Sequence, residues 1–192
     1  MSVKIYQLKI TLKGLKPPIW RRVEVRSDYT FAELHQVIQV VMDWQDSHLH
    51  NFELNRFHKE EGPRVFIEQD FDEEDDFSIA MPFFSKKVSE NEEVLEDWLQ
   101  KENDKTLYTY DFGDDWEHEV KLEKILEPKS GVSYPRCTKA RRLTPDEDSR
   151  VDVMEETDED GRWVPEEDPP PKELQQDIND ELQHCVKLWK VE

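Results

Sequence analysis

Cysteine is almost absent from this sequence of 192 residues, which contains only Cys137 and Cys185. Two cysteines are too few for the disulfide framework of a small secreted domain, and this usage is typical of proteins that fold in a reducing compartment. The sequence also lacks any run of about eighteen apolar residues, the length that a membrane-spanning helix requires. Its amino terminus has no apolar segment of the kind found in signal peptides. We therefore expect a cytoplasmic protein that does not cross a membrane.

Basic residues are scarce relative to acidic ones, with 26 Lys and Arg against 46 Asp and Glu, for a formal net charge of −20. This balance argues against broad binding to phosphate backbones, because Lys and Arg supply that attraction. Acidic residues dominate two stretches, 68–76 and 146–168. Segments of this charge favour a basic protein as partner.

Glycine is also sparse, with only five residues, and Gly113 lies at the centre of the most regular segment, residues 106–126. Aromatic residues occupy every second position before this glycine, and Trp116 and His118 begin the same alternation after it. A period of two is typical of strands with one apolar and one polar face. We predict two antiparallel strands that fold back at Gly113, which accepts a positive φ without steric cost.

The remaining elements are predicted by alternating polarity, capping-box spacing and helical stripes. They are strands at residues 3–13, 19–26 and 48–55, a helix behind the capping box of Thr30 and Glu33, and a short helix behind that of Ser89 and Glu92. The order ββαβ–αββ, followed by a C-terminal helix, predicts an α+β fold with a mixed or antiparallel sheet and helices packed on one face. The order is also compatible with a β-grasp-like arrangement.

The chain divides into three parts by composition. Residues 1–145 are expected to form one α+β domain, whose last stretch, from residue 134, is interpreted as irregular chain. Residues 146–170 are acidic and end in prolines, which predicts an extended linker. Residues 171–192 form an amphipathic helix that opens with Pro171, a favourable residue in a first helical turn. We expect its apolar stripe to pack back on the domain.

Four segments together resemble the plasmid pRiA4b open-reading-frame-3-like family, whose members are also described as passenger proteins of insertion elements. The segments are PPIWRRVEV (17–25), FAELHQVIQVVMDWQDSHLHNFEL (31–54), YTYDFGDDWEHEVKLEKIL (108–126) and YPRC (134–137). The resemblance covers residues 3–149 and implies a link to mobile elements, without assigning catalytic residues. The family usually places a second cysteine after YPRC, where this chain has Ser149. The resemblance therefore implies no partner for Cys137 here.

The best candidate for chemistry is a polar cluster near the predicted hairpin tip. Clustered carboxylates and imidazoles can hold a divalent ion for phosphodiester hydrolysis, so a metal-dependent phosphodiesterase or nuclease is one hypothesis. The alternative is structural, because tight turns recruit aspartate and a histidine in register with apolar residues belongs to a core. Asp111, Asp114, Asp115 and His118 lie around the tip, and the candidate set also includes His48 and His50, which lie elsewhere on a predicted strand. A His-x-His pair on a strand points both rings to the same side, which is a workable geometry for a divalent metal.

A second candidate feature is a group of arginines beside aromatic residues, which predicts weak binding to nucleic acid. The alternative is that these arginines are solvated strand ends or partners of the acidic segments. The group comprises Arg21, Arg22, Arg26, Arg141 and Arg142.

No complete catalytic set is visible in the sequence. The leading hypothesis is therefore a non-enzymatic binding or accessory module that recognises a protein or peptide, with a basic partner favoured by the acidic segments. No cofactor is expected. The nuclease and the nucleic-acid-binding hypotheses remain the alternatives.

Overall fold

The computed structural model describes residues 2–54, 64–69, 85–163, 165 and 167–189. The strands are β1 Ile5–Leu12, β2 Ile19–Arg26, β3 His50–Leu54, β4 Arg64–Glu68, β5 Ser85–Ser89, β6 Lys105–Tyr110, β7 Trp116–Leu126 and β8 Arg136–Arg141. The helices are α1 Phe31–Met42, α2 Leu95–Trp98, α3 Arg150–Glu156 and α4 Pro171–Trp189. Most of the acidic stretch 68–76 lies outside the described residues, so the expectation of a solvated segment there stays a prediction.

The strands form one sheet in the order β5-β4-β3-β6-β7-β1-β2-β8. The β4–β5 pair is parallel and the other neighbours are antiparallel, so the sheet is mixed and the predicted α+β class is confirmed. Strand β4 lies where the sequence suggests a short strand at residues 64–67, and the chain adds β5, β8 and α3 to the predicted elements. The β-grasp-like arrangement stays a prediction.

Helix α1 begins as its sequence indicates. The Thr30 hydroxyl accepts a hydrogen bond from the Glu33 N–H at 3.2 Å, and the Glu33 carboxylate accepts one from the Thr30 N–H at 2.8 Å. Asp43 ends the helix in the left-handed conformation, with a φ of 59°. The apolar stripe of α1 is buried in the core that it shares with the sheet, so capping and hydrophobic spacing together fix this helix.

In the β6–β7 turn, the residues with a positive φ are not the one that was predicted. Asp111 and Asp115 both have a φ of 56°, whereas Gly113 does not adopt this conformation. The Asp111 carboxylate accepts a hydrogen bond from the Gly113 N–H at 2.9 Å. Aspartate tolerates the left-handed region because its short side chain bonds the local backbone in this way. Asp111 and Asp115, rather than Gly113, therefore provide the left-handed backbone conformation of the turn.

Strand β8 lies in a stretch interpreted as irregular from the sequence. The β2–β8 register shifts between Arg22 and Val23, so the strict alternation of a strand is interrupted. Cys137 and Ala140, three positions apart, are both buried. A bulge of this kind removes the period-two pattern on which sequence reasoning depends.

Residues 146–170 differ from the extended linker that their acidity predicted. They contain α3, which buries Val153, and they bury Trp163. The Trp163 N–H donates to the Lys16 carbonyl at 2.9 Å, and the Lys16 N–H donates to the Gly161 carbonyl at 3.0 Å. These backbone hydrogen bonds attach the segment to the β1–β2 loop, and its two buried apolar side chains pack against the core.

Helix α4 packs against β8 and α1 and buries Leu174, Ile178 and Leu182. The Asn179 amide hydrogen-bonds both the N–H and the carbonyl of Cys137, each at 2.8 Å. Helix α2 begins at Leu95 rather than directly behind Ser89. Within the described residues, no helix is both long enough and apolar enough to cross a bilayer.

Candidate functional site

Three loops meet at one end of the sheet, and the hydroxyl of Tyr110 joins them. It accepts hydrogen bonds from the N–H groups of Ser47 at 2.8 Å and His48 at 3.2 Å, in the loop between α1 and β3. It donates to the carboxylate of Glu147, in the loop between β8 and α3. Burial and the contact with Glu147 raise the pKa of Tyr110, so the hydroxyl keeps its proton at neutral pH. The β6–β7 turn is thereby tied to both other loops.

One histidine and two carboxylates converge where these loops meet, and we call His48, Asp111 and Asp148 the tip site. The His48 Nε2 atom lies 3.0 Å from Asp148 Oδ1 and 3.7 Å from Asp111 Oδ2. One ligand atom of each residue lies within 4.8 Å of those of the other two. The structure therefore brings together two residues of the candidate set, His48 and Asp111. Asp148 was missed because it is one acid among many in its stretch of sequence.

His50 does not face the tip site; it stacks on His35 of α1. The two ring centroids are 3.5 Å apart and the ring planes differ by 2°. The His50 Nε2 atom donates to Glu90 at 2.6 Å, and the His35 Nε2 atom donates to Asp46 at 2.8 Å. Burial lowers the pKa of His35, against the opposing hydrogen bond to Asp46. We call His35 and His50 the histidine stack.

A closed ring of hydrogen bonds surrounds one side of this stack. Gln39 donates to the Tyr108 hydroxyl at 3.0 Å, and that hydroxyl donates to His35 Nδ1 at 2.8 Å. His35 donates to the Asp46 carboxylate, and the Asp46 N–H donates to the Gln39 side-chain carbonyl at 3.0 Å, which closes the ring. His35 and Gln39 are four positions apart in α1, which is the one sequence feature that could have marked them as a pair on one helix face.

The histidine stack has two imidazoles and a carboxylate, Asp46, within reach of one another. An imidazole lone pair lies in the plane of its ring, so two parallel rings stacked face to face cannot both direct a lone pair at one ion. Three of the four ring nitrogens already have hydrogen-bond partners. The arrangement therefore acts as a hydrogen-bonded connection between α1 and β3 rather than as a metal centre.

His118 lies in the core, away from the tip site. Its side chain is 0% exposed and its ring lies 5.2 Å from that of Trp44 and 5.4 Å from that of Tyr108. Burial lowers the pKa of His118 to about 3. The imidazole is therefore neutral and inaccessible to a substrate at neutral pH, which matches the structural alternative for this residue.

Asp114 and Asp115 complete the hairpin tip without joining the tip site. The Asp114 carboxylate accepts a hydrogen bond from the Arg150 N–H at 3.1 Å, at the start of α3. The Arg150 guanidinium lies 4.6 Å from the ring of Trp116. Asp115 is exposed. Asp114 therefore positions α3 against the hairpin.

The predicted arginine group is divided between the core and the surface. Arg21 is 1% exposed, and its guanidinium donates to the carbonyls of Val41 at 2.7 Å and Arg141 at 3.1 Å. Burial lowers the pKa of Arg21 to about 10, so it stays charged at neutral pH. Its donors are used to join β2, α1 and β8.

Three other arginines of the group make local contacts, and Arg141 is exposed on β8. Arg22 pairs with Glu123 at 2.5 Å, Arg26 pairs with Asp28 at 2.6 Å, and Arg142 donates to the Trp163 carbonyl at 3.1 Å. Trp20 is the aromatic centre of this region, since the cationic groups of Lys9, Arg22 and Lys139 lie 5.0, 5.3 and 5.7 Å from its ring. These three positive charges are thus grouped around the half-buried ring of Trp20.

Large apolar side chains are exposed near the same end of the sheet as the tip site. Phe112, which is 51% exposed, belongs to the β6–β7 turn. The exposed Leu49 lies next to this turn, because its backbone carbonyl accepts a hydrogen bond from the Asp111 N–H at 2.9 Å. Helix α3, held to the turn by the Asp114–Arg150 bond, exposes two more apolar side chains one turn apart. We call these four residues the apolar rim: Leu49, Phe112, Val151 and Met154.

Comparison with known proteins supports the family assignment suggested by the sequence. The model of the plasmid pRiA4b ORF-3-like protein family matches residues 4–159. The chain belongs to this family. Its relative y4hQ, an uncharacterised protein of Sinorhizobium fredii, is 31% identical over 149 residues, which is 77% of this chain and 68% of that protein.

A solved structure is similar across most of the fold. It is the crystal structure of MM3350, a protein of unknown function from Methanosarcina mazei Go1. The TM-score is 0.66 at 40% sequence identity, over 81% of this chain and 82% of that chain. The family match includes the hairpin, the three loops of the tip site and α3, and it ends before α4.

Proposed function

We propose that this member of the pRiA4b ORF-3-like family is a non-enzymatic binding module. Its partner is a protein segment that combines basic and large apolar side chains. The segment binds to the apolar rim and to the acids beside it, at the end of the sheet where the β6–β7 turn meets α3.

The observation that carries this proposal is the position of the apolar rim among acidic side chains. Exposed apolar groups rimmed by polar ones mark interaction surfaces more often than isolated exposed residues do. Asp115 flanks the rim on the turn, and Asp152 and Glu155 flank it on α3, all of them exposed. Acids in these positions complement Lys or Arg on a partner and disfavour an acidic one.

The state of the buried histidines supports a binding role over catalysis. General acid–base work needs an imidazole that reaches substrate and exchanges protons near neutral pH. His118 is fully buried with a pKa of about 3, and His35 is buried with a lowered pKa. Both side chains contribute to the core of the sheet.

The test is a random-peptide display screen against the full chain, followed by affinity measurements on the enriched peptides. We expect enriched peptides to carry Lys or Arg beside a large apolar residue. The variants Phe112→Ser and Met154→Ser should each weaken binding by about tenfold or more, as expected for anchors of an interface. The variant Gln183→Ser, on the exposed face of α4, should bind as the natural chain does.

Two results would overturn the proposal. One is a screen that enriches no peptide with this composition. The other is binding that neither rim variant weakens, provided that both variants keep the melting temperature of the natural chain.

A further inference from the structure

We infer that the tip site is a binding site for a first-row divalent cation such as Mn²⁺. The ligands are the His48 Nε2 atom and one carboxylate oxygen each of Asp111 and Asp148. This inference goes beyond the proposed function, because none of these three side chains belongs to the apolar rim. The two can therefore fail separately.

The separations of the donor atoms suit one ion. Two ligand atoms in adjacent positions around an octahedral ion, each about 2.1 Å from it, lie about 3 Å apart. The His48 Nε2 atom is 3.0 Å from Asp148 Oδ1 and 3.7 Å from Asp111 Oδ2. The donor atoms of Asp111 and Asp148 lie within 4.8 Å of each other, so a small adjustment of the side chains would place all three around one centre. The donors come from three different loops, so the fold brings them together.

The hydrogen bonding of His48 also points to a cation. Its Nε2 atom is shielded from solvent and lies 3.0 Å from Asp148 Oδ1 and 3.7 Å from Asp111 Oδ2, but it makes no well-directed hydrogen bond to either carboxylate or to another described residue. A shielded polar atom without a well-directed hydrogen bond costs free energy. With the proton on Nδ1, the Nε2 lone pair would face the carboxylate oxygens and repel them. A cation between the three groups turns that repulsion into attraction.

Two of the ligands are held by contacts that leave their donor atoms available. Asp111 uses Oδ1 to accept the Gly113 N–H and donates its own N–H to the Leu49 carbonyl, so Oδ2 is left towards His48. The His48 N–H is bonded to the Tyr110 hydroxyl at 3.2 Å. Prior positioning of this kind is what outer contacts contribute at metal sites.

The third ligand is placed by its neighbour in sequence. Glu147 is bonded through one carboxylate oxygen to the Gln45 N–H at 2.8 Å and through the other to Tyr110. Asp148 follows it directly and is 71% exposed. The remaining positions around an ion would therefore be open to water.

The donor set selects the class of ion. Carboxylates alone suit Mg²⁺ and Ca²⁺, whereas an imidazole among them favours first-row transition metals. We therefore expect Mn²⁺, Co²⁺ and Zn²⁺ to bind more tightly than Mg²⁺ or Ca²⁺.

The test is a titration of the chelator-treated, dialysed full chain with Mn²⁺, followed by electron paramagnetic resonance of the free ion. We expect one Mn²⁺ per chain. His48→Gln, Asp111→Asn and Asp148→Asn should each weaken binding by about tenfold or more. The matched controls are His184→Gln, which removes an exposed imidazole on α4, and Asp115→Asn, which removes an exposed carboxylate of the same turn. Both controls should bind Mn²⁺ as the natural chain does.

A second readout ties the ion to the imidazole. Co²⁺ bound to the natural chain should give a visible absorption spectrum that changes in His48→Gln and stays unchanged in His184→Gln. Asparagine tolerates the left-handed backbone of Asp111 and Asp148, so their variants should keep the fold, which circular dichroism checks.

Three results would overturn the inference. They are no stoichiometric Mn²⁺ binding, binding that survives His48→Gln and Asp148→Asn, and binding that is lost only in His50→Gln, which would place the ion at the histidine stack. The Phe112→Ser variant separates the two proposals, because it should lose peptide binding and keep Mn²⁺ binding.

Discussion

The Tyr108 hydroxyl of β6 donates a hydrogen bond to His35 Nδ1 of α1 at 2.8 Å, inside the hydrophobic core. The same hydroxyl accepts a hydrogen bond from Gln39 at 3.0 Å. Helix and sheet are thus joined by directed polar contacts as well as by apolar packing. Such contacts disfavour other packing arrangements of the core, because those would leave a buried donor or acceptor without a hydrogen-bond partner.

Removal of this hydroxyl should destabilise the protein. Tyr108→Phe leaves the Gln39 amide and His35 Nδ1 without their common partner in the core, which we expect to cost about 2 kcal/mol. The measurement is the free energy of unfolding in urea. Tyr29→Phe is the matched control, since its hydroxyl is part-buried and makes a 3.5 Å contact with the Tyr134 carbonyl. A loss of similar size in both variants would show that the hydrogen-bond ring is not what stabilises this part of the core.

His118 should make the stability fall in acid. Its folded pKa, about 3, lies below the ordinary histidine value of 6.5, so the unfolded chain binds the proton more readily. The stability contributed by the neutral ring is present above the unfolded pKa and is lost as the pH falls towards the folded one. Between pH 7 and pH 5 this single group should account for about 2 kcal/mol.

The measurement is the difference between the natural chain and His118→Phe in unfolding free energy at the two pH values. Other groups that titrate contribute to both proteins and cancel in that difference. The natural chain should lose more stability on acidification than the variant does. If both proteins lose the same unfolding free energy between pH 7 and pH 5, then the pKa of His118 is not lowered by folding.

Arg21 should be far more important for stability than other arginines of its group. Arg21→Met removes the buried donor to the Val41 carbonyl and the part-buried donor to the Arg141 carbonyl, and we expect a loss of about 3 kcal/mol. Arg26→Met breaks an exposed ion pair with Asp28 and should cost less than about 1 kcal/mol. Thermal and urea unfolding of the two variants compare these values. Equal losses would contradict the buried role of Arg21.

The turn should depend on aspartate for its backbone conformation. Asp111→Ala places alanine at a φ of 56° and removes the bond to the Gly113 N–H. We expect Asp111→Ala to be less stable than Asp111→Asn by about 1–2 kcal/mol, because asparagine tolerates this conformation and alanine does not. Urea unfolding of the two variants measures the difference, and equal stabilities would show that the turn relaxes without cost.

The parts of the fold that sequence reasoning predicted are those with a complete local pattern. Helix α1 has a capping box and an apolar stripe, and the β6–β7 hairpin alternates strictly. Strand β8 carries a bulge, which hides its alternation, and α3 has Val153 as its buried apolar residue. These two elements are held by pairing and packing with distant residues, which no local window contains.

The candidate site shows the same division. His48 and Asp111 were both candidates because imidazoles and clustered carboxylates can hold a metal ion, but no local pattern in the sequence indicated that the two side chains meet. Asp148 could not be distinguished from the acids around it, since its position depends on Glu147 reaching Tyr110 across the fold. His50 was grouped with His48 by spacing, but the strand β3 begins only at His50, so the two rings need not share a face.

The contact between Asn179 and Cys137 has a consequence for solubility. Cys137 lies in the last strand of the sheet, where open backbone groups would invite a foreign strand to join. One side-chain amide of α4 occupies both of its backbone groups. Helix α4 thus covers part of this sheet edge and disfavours edge-to-edge aggregation there.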